Sequence, residues 1–263
     1  MMPNHTFAAL IGSTTLIVGA AIAPAQAFVV APSNITDQQF NQLILDGDFS
    51  ELFVAESRAG FTGSERELGI NDALVPNAEG TGLVGGMPLA EGQLDWTSGK
   101  TVEFHLSYNA LTGEIAYTVD GELLNATVNA ESPNGIYIRT NAQGKGTGSN
   151  STTSSSMSLE NLMLDDGNGF QALPDLASFF TQGGPRDVDY LVISDLSGSF
   201  SLKGEQTLSW AGRFPDRSRL AAQIKVGSFN DSESVPEPAT LLGAMVALGA
   251  GYGLKRRRDQ ATV

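Results

Sequence analysis

Residues 102–128 alternate between apolar and polar side chains, and no other feature of the chain constrains its fold as strongly. Every second residue from Val102 to Tyr108 is apolar, and a similar run occupies 114–119. Asp120-Gly121, a favoured pair for a two-residue hairpin turn, leads to a third run at 124–128. A period of two puts successive side chains on opposite faces of a strand. These residues are therefore predicted to form a three-stranded antiparallel meander with one face in the core.

Short apolar runs of the same kind continue along the chain. They occupy residues 52–54, 135–139, 159–164, 190–194, 199–202, 206–210 and 221–226. About ten strands, each apolar on one side, predict two antiparallel sheets packed on each other. The expected fold is all-β, an antiparallel β-sandwich of jelly-roll or concanavalin-like type.

Helical patterns are few. Thr36 and Gln39 fit a capping box, and apolar residues follow on one face until Asp46-Gly47. A weaker helical pattern covers 173–180. Glycine and serine dominate residues 143–158, which are predicted to be a flexible loop, and 60–92 are expected to be rich in loops.

The charge of the chain limits its partners. Residues 28–236 hold 27 of the 29 acidic residues but only 11 of the 15 basic ones, a net charge of −16. A body this acidic repels nucleic acid and anionic lipid, so neither is expected as a partner. The chain has no cysteine, which excludes disulfides, thiol nucleophiles and thiolate metal sites.

The N-terminus has the pattern of a secretory signal peptide. An apolar run at residues 8–23 precedes Ala25-Gln26-Ala27, a small-x-small site, so cleavage is expected before Phe28. Residues 1–6 contain no Lys or Arg, although signal peptides usually begin with a positive charge. Residues 1–27 are therefore predicted to be a signal helix that directs export.

The C-terminus carries a second targeting pattern. Pro236-Glu237-Pro238 precedes an apolar segment, residues 239–254, and a basic end formed by Lys255, Arg256, Arg257 and Arg258. Cations that follow an apolar helix hold it in a membrane with its basic end on the cytoplasmic side. Sixteen helical residues span about 24 Å, less than a bilayer core of about 30 Å. A short segment of this kind is expected to insert transiently, with a permanent tail anchor as the alternative.

The order of these three parts resembles the PEP-CTERM sorting signal of bacterial surface proteins. The resemblance covers residues 235–263, about a tenth of the chain. It implies an exosortase-type membrane protease as a partner, cleavage near Pro236-Glu237-Pro238, and release of residues 28–234 to the cell surface or the extracellular matrix.

Several motifs in the body are similar to those of the bacterial surface domains called choice-of-anchor, in particular the W type. They are Glu51-Leu52-Phe53-Val54, Arg66-Glu67-Leu68-Gly69, Asp95-Trp96-Thr97-Ser98-Gly99, Asp189-Tyr190-Leu191-Val192-Ile193, Leu208-Ser209-Trp210, Ser218-Arg219-Leu220 and Gln223-Ile224-Lys225-Val226-Gly227. The resemblance implies a location and a fold, but it brings no catalytic residues.

The sequence gives little support to catalysis. His105, the one histidine after residue 27, should point outward beside Glu103 and Ser107. Positions two and four residues apart along a strand separate the ends by about 13 Å, too far for a hydrogen-bonded triad. A carboxylate pair of a secreted glycoside hydrolase is the remaining route, and Glu103, Glu114, Asp120 and Glu122 are expected to share the outer face of the meander. No local pattern of acids marks such a pair, so no enzyme is predicted.

Two further sites are candidates for binding. Asp165, Asp166 and Asn168 offer oxygen ligands for calcium on a turn, but the spacing lacks the EF-hand pattern. An Asx-rich turn, in which the side chains bond their own backbone, explains the same residues. Trp96 is a candidate contact for a glycan, whereas Trp210 is expected to pack in the core.

These observations favour an exported, non-enzymatic surface or matrix protein without a required cofactor. Extracellular polysaccharide is the candidate ligand, and a lectin-like carbohydrate-binding sandwich is the alternative function.

Overall fold

The computed structural model of the protein describes residues 28–60 and 66–230. The predicted signal peptide, residues 1–27, and the predicted sorting signal, residues 235–263, lie outside the described residues. So does the apolar segment 239–254. In the described part, the single helix has ten residues, too few to cross a membrane.

Sixteen strands and one helix make up the described part of the chain. In chain order they are β1 (Val29–Ser33), α1 (Asp37–Asp46), β2 (Phe49–Arg58), β3 (Leu68–Asp72), β4 (Leu74–Pro76), β5 (Leu83–Gly85), β6 (Pro88–Gly92), β7 (Thr101–Asn109), β8 (Glu114–Val119), β9 (Glu122–Thr127), β10 (Gly135–Ala142), β11 (Thr152–Asp165), β12 (Gln171–Ala172), β13 (Leu176–Thr181), β14 (Asp187–Ser194), β15 (Phe200–Gly212) and β16 (Leu220–Phe229).

The strands form two antiparallel sheets. The first sheet has the order β1-β14-β10-β16-β2-β3-β6. The second has the order β12-β11-β15-β7-β8-β9, and β13 also pairs with β11. A small hairpin, β4-β5, packs against α1 and β2. The arrangement confirms an all-β, sandwich-like fold.

One hydrophobic core lies between the two sheets. Phe53, Ile70 and Ile138 of the first sheet belong to the same buried cluster as Leu106 and Tyr117 of the second. The Ser57 Oγ and Tyr117 Oη atoms, one from each sheet, are 2.6 Å apart inside this core. Burial raises the pKa of Tyr117 far above its ordinary value, because the phenolate would lose its water there.

The meander is confirmed in detail. Strands β7, β8 and β9 pair in sequence, and alternate residues of β7 are buried and exposed. Asp120 and Gly121 both have positive φ angles, 48° and 86°, as a type I′ hairpin turn requires.

Two sequence predictions for the body are wrong, and a third is incomplete. Residues 152–158 form the first half of β11 rather than a loop, because their backbone pairs with β15 and, from Ser154, also with β13. The weak helical pattern at 173–180 falls on β13 instead of a helix. Residues 60–92, expected to be rich in loops, also contain the four short strands β3 to β6.

Helix α1 lies on the outer face of the first sheet. Thr36 and Gln39 form the predicted capping box, and Gly47 ends the helix in a left-handed conformation. Phe40 packs edge-on against Tyr137 of β10, with ring centroids 5.0 Å apart. Lys225 of β16 also contacts this side chain, with its Nζ 4.6 Å from the centre of the Phe40 ring.

A chain of hydrogen-bonded charged and amide groups, here called the ionic layer, crosses the same face. Arg139 donates two hydrogen bonds to Asp37 at the start of α1, at 2.7 and 2.8 Å, and a third to Gln223. Gln223 in turn donates to Glu56. Arg66 continues the layer, since it donates to Glu56 at 3.1 Å and to Glu91 at 2.8 Å. The layer thus links α1 to strands β10, β16, β2 and β6.

The ionic layer shifts the pKa values of its acids. Burial by itself would raise the pKa of Asp37, but the hydrogen bonds and positive charge of Arg139, with Tyr190 and Arg186, lower it well below the usual range. For Glu56, burial is again outweighed by the Gln223 hydrogen bond and by the charges of Arg58 and Arg66, so its pKa is also lowered. Both carboxylates are therefore held in the charged form.

Asp37→Asn should destabilise the protein by about 2 kcal/mol at neutral pH, because hydrogen bonds to a charged group contribute about 1.5–3 kcal/mol. A lowered pKa gives stability that is present above the unfolded value of about 3.9 and is lost as the pH falls toward the folded value. The deficit of the variant should therefore shrink below about pH 4. Urea unfolding of both proteins at neutral pH and below about pH 4 measures this difference in the free energy of unfolding.

Asp46→Asn is the matched control, because Asp46 is exposed at the other end of α1. It should change the free energy of unfolding by less than about 0.5 kcal/mol. An Asp37→Asn protein as stable as the wild type at neutral pH would contradict a role for this carboxylate in holding the helix.

Candidate functional site

The outer face of the second sheet is open, in contrast to the outer face of the first. Most of its residues carry polar or charged side chains, Leu123 and Met163 being apolar, and no described helix lies on it. This surface is called the open face below. Its outward residues include Thr101, Glu103, His105, Ser107 and Asn109 of β7, Glu114, Ala116 and Thr118 of β8, Leu123, Asn125 and Thr127 of β9, Ser201, Lys203, Glu205, Thr207 and Ser209 of β15, and Ser156, Ser158, Glu160 and Met163 of β11.

The first recess of the open face lies over β7, β8 and β9. It has a volume of about 510 Å³. Ala116 contributes only a methyl group to it. Five of its lining residues are polar: Ser107, Asn109, Glu114, Asn125 and Thr127.

The second recess adjoins the first along β7 and extends over β15 to β11. Its volume is about 520 Å³. Its side chains bring together both signs of charge and neutral hydrogen-bonding groups: Glu103, His105, Thr118, Asn161, Lys203 and Glu205. His105 Nε2 lies 2.6 Å from Ser201 Oγ, so the imidazole is fixed by a neighbouring strand.

Three glutamates lie in a row on neighbouring strands, and two of them line the second recess. Glu103 is the register partner of Glu205, and Glu205 is also the partner of Glu160. Like charges directly opposite each other in a sheet repel. The repulsion is relieved only in part, by a hydrogen bond of 2.8 Å from the Asn161 side chain to Glu205.

Asn161 reaches Glu205 because the strand is irregular at this point. The register of β11 against β15 shifts between Glu160 and Met163, and Asn161 has a φ of 52°. The Asn161 N–H donates to Asp175 at 3.0 Å, which holds the bulge. Bulges re-aim side chains at functional sites in many sheets. Here the bulge turns an amide toward the recess.

Aromatic side chains border the open face. The Lys203 Nζ lies 4.0 Å from the centre of the Phe170 ring, and Phe170 itself is 40 % exposed. Phe179 of β13 is 65 % exposed and lies opposite Ser156, on the same side of the sheet. Exposed aromatic area next to hydrogen-bonding groups is the combination that sugar-binding surfaces need, because a sugar ring has apolar faces and a polar rim.

The structure separates the acids that were expected to act together. Glu114 lies opposite Asn109, six residues from Glu103 along β7, so the two carboxylates are about 20 Å apart. Glu122 pairs with Val119, whose side chain is in the core, and Asp120 binds Lys100 in the hairpin turn. Glu103 and Glu114 lie on the outer face, as expected, but not as a close pair, and the expectation that all four acids share that face is wrong. Glu205 is the carboxylate next to Glu103, and only the strand order brings it there.

Trp96 lies at the edge of the core and not among the residues of the open face. It packs against the core cluster, and its indole N–H donates to the Arg58 carbonyl at 3.0 Å. Trp210 is also partly buried and packs edge-on against Phe214. The exposed aromatic groups near the recesses are phenylalanines, which the sequence reading did not single out.

The calcium candidates share the predicted turn after β11. Asp165 Oδ1 accepts the N–H groups of Gly167 and Gly169, both at 2.8 Å, as an Asx turn does. Asp166 is buried and accepts one hydrogen bond from Asn168, while its Oδ2 has no hydrogen-bond partner among the described residues. Within residues 28–60 and 66–230, no three acidic or histidine side chains converge as metal ligands.

Of the predicted targeting residues, Phe28 belongs to the described fold. Phe28 is the first described residue and is buried. Ala25, Ala27, Pro236, Glu237, Pro238 and the basic end at 255–258 lie outside the described residues.

The chain matches no protein-family model, and no curated protein matches it significantly.

Glu103→Gln should stabilise the protein by about 0.2–1 kcal/mol, because it removes a like-charge contact between neighbouring strands. The gain should shrink in high salt, which screens exposed charges. Urea unfolding at two salt concentrations measures both effects. Glu122→Gln removes the same charge from an exposed position opposite Val119 and should leave the stability nearly unchanged. A Glu103→Gln protein that is clearly less stable than the wild type would show that the row of glutamates is not repulsive.

Proposed function

We propose that the chain is an exported, non-enzymatic protein of the cell surface or extracellular matrix, sorted by a C-terminal PEP-CTERM signal. In this proposal residues 1–27 are removed as a signal peptide. Residues 239–254 insert transiently in the membrane, and an exosortase-type protease is the processing partner. The sandwich is of jelly-roll or concanavalin-like type and belongs with the choice-of-anchor domains. No cofactor is assigned, and the calcium candidates are assigned to an Asx turn.

The asymmetry of the two outer faces supports this proposal. The first sheet is covered by α1 and crossed by the ionic layer, whose charged groups bond to one another. The second sheet leaves a broad polar face with two recesses uncovered by any described element. A displayed surface protein needs such a face for its partner, and a net charge of −16 on residues 28–236 keeps the domain soluble and away from nucleic acid.

Extracellular polysaccharide is the ligand that we propose for the open face. Amide, hydroxyl and carboxylate groups alternate there, and each can bond to sugar hydroxyls. Phe170 and Phe179 add exposed apolar area. Carbohydrate binding is therefore the second candidate function, within the same surface protein.

The export proposal predicts where the protein accumulates. In its native host the wild-type chain should be found outside the cell or in the envelope, with Phe28 as its first residue and without residues 239–263. Replacing Pro236, Glu237 and Pro238 by alanine should leave a longer, membrane-bound species, because the processing site is gone. Cell fractionation with mass spectrometry of both ends measures this.

Glu79→Gln, at an exposed position far from both ends of the chain, is the control for this experiment and should be processed normally. Full-length wild-type protein dissolved in the cytosol would contradict the export proposal.

The non-enzymatic proposal predicts that purified protein releases no reducing sugar from polysaccharides. The pair Glu103 and Glu205 is the arrangement that most resembles the two carboxylates of a retaining glycoside hydrolase. Glu103, however, is exposed on an open sheet face, whereas the general acid of such enzymes lies in a pocket that excludes water. Release of reducing ends that both Glu103→Gln and Glu205→Gln abolish would replace this proposal with a hydrolase.

A further inference from the structure

The two recesses of the open face are adjacent. His105 of the second recess and Ser107 of the first are neighbours on the same side of β7. Thr118 of the second recess and Ala116 of the first are neighbours in the same way on β8. Together the two recesses are called the furrow below, which extends across the sheet from Asn125 on β9 to Asn161 on β11.

The length of this furrow exceeds one sugar ring. It crosses five strands, β9, β8, β7, β15 and β11, which are separated by four interstrand spacings. At about 4.8 Å for each spacing, the furrow is roughly 19 Å long across the strands. It also shifts along β7 from Asn109 to Glu103. A groove of this length accommodates several linked sugars in an extended chain.

The charges of the furrow select against anionic chains. Three carboxylates line it, from Glu103, Glu114 and Glu205, against one permanent cation, Lys203. The Lys203 ammonium group also lies over the Phe170 ring. An anionic sugar would meet both this local excess and the negative charge of the whole domain.

We infer that the furrow binds an internal segment of a linear, uncharged polysaccharide, with Asn125 of the first recess and Glu103 of the second contacting different sugars of one chain. This inference rests on the proposed polysaccharide binding and adds the chain length, the charge class and the site. Glu103 and Glu205 accept hydrogen bonds from sugar hydroxyls in this arrangement. The repulsion between them decreases when hydroxyl donors are shared between the two carboxylates.

The test is titration calorimetry of the purified full-length protein with neutral oligosaccharides of increasing length. Cello-, xylo- and N-acetylated chito-oligosaccharides are the probes, and oligogalacturonates are the anionic comparison. In at least one neutral series, affinity should rise at least about tenfold from the single sugar to the length that fills the furrow, since about 1.4 kcal/mol of added contact gives that factor. The oligogalacturonates should bind more weakly than the neutral chains.

Two variants locate the site. Asn125→Ala removes an amide from the first recess, and Glu103→Gln replaces a charged acceptor of the second recess by a neutral amide, so each should weaken binding of the longest oligomer by about tenfold. At most one of the two variants should weaken binding of the single sugar, because one ring cannot contact both residues. Gln42→Ala, exposed on α1 across the sandwich, is the control and should bind like the wild type. Circular dichroism of each variant confirms that it is folded.

Each outcome decides a different part of the inference. A single sugar that binds as tightly as its oligomers would overturn the extended furrow while leaving carbohydrate binding intact. Unchanged affinity in both variants would place the site elsewhere, and tighter binding of oligogalacturonates would overturn the charge class. If no saccharide binds, the proposed polysaccharide ligand fails as well, but the export proposal does not. The length series needs no variant, so the inference stays testable even if one variant does not fold.

Discussion

The bonds between Asp37 and Arg139 determine which of the two outer faces of this sandwich is covered by α1. Two sheets that share one core leave two outer faces, and a short amphipathic helix has to cover apolar area on one of them. Arg139 holds the first residue of α1, and Tyr190 donates to the same carboxylate at 2.8 Å. The helix thus covers Tyr137 and Tyr190 on the first sheet. Without that attachment, the aromatic residues of this face would be exposed to water.

Covering one face has consequences for its polar groups. Burial beneath a helix leaves no water to solvate a charge, so each charged group there needs a partner. The ionic layer supplies those partners by alternating acids, bases and amides across five elements. Gly69 makes room for it, since a side chain at this position would approach the Arg66 guanidinium to 2.9 Å. Packing and electrostatics on this face are therefore parts of the same arrangement.

How much of this was predictable depends on the distance between interacting residues. The capping box and the Asp120-Gly121 turn are local, and the sequence predicted both correctly. The Ser/Thr-rich residues 152–158 were misread because low apolar content resembles a loop, although a strand between two neighbours is stabilised by its backbone pairing. The contact between Asp37 and Arg139 spans 102 positions and leaves no local pattern.

The candidate site was predictable only in part for the same reason. Alternation along β7 placed Glu103 and His105 on the outer face correctly. It could not identify Glu205, because the pairing of β15 with β7 is a property of the strand order. Nor did any pattern mark the bulge at Asn161, whose left-handed conformation depends on its contacts with Asp175 and Glu205.

The treatment of acids on the two faces differs in a way that packing alone does not explain. On the covered face, Glu56 is bonded to Arg66 and Gln223. On the open face, Glu103 and Glu205 are register partners of each other, although opposite charges are the favourable pair at facing positions of a sheet. A stable fold that satisfies its charges on one side and leaves them in repulsion on the other gives up stability where solvent, and therefore a ligand, has access. Such local conflicts concentrate at functional sites in natural proteins. The row of glutamates is thus the strongest physical reason to look for function on the open face.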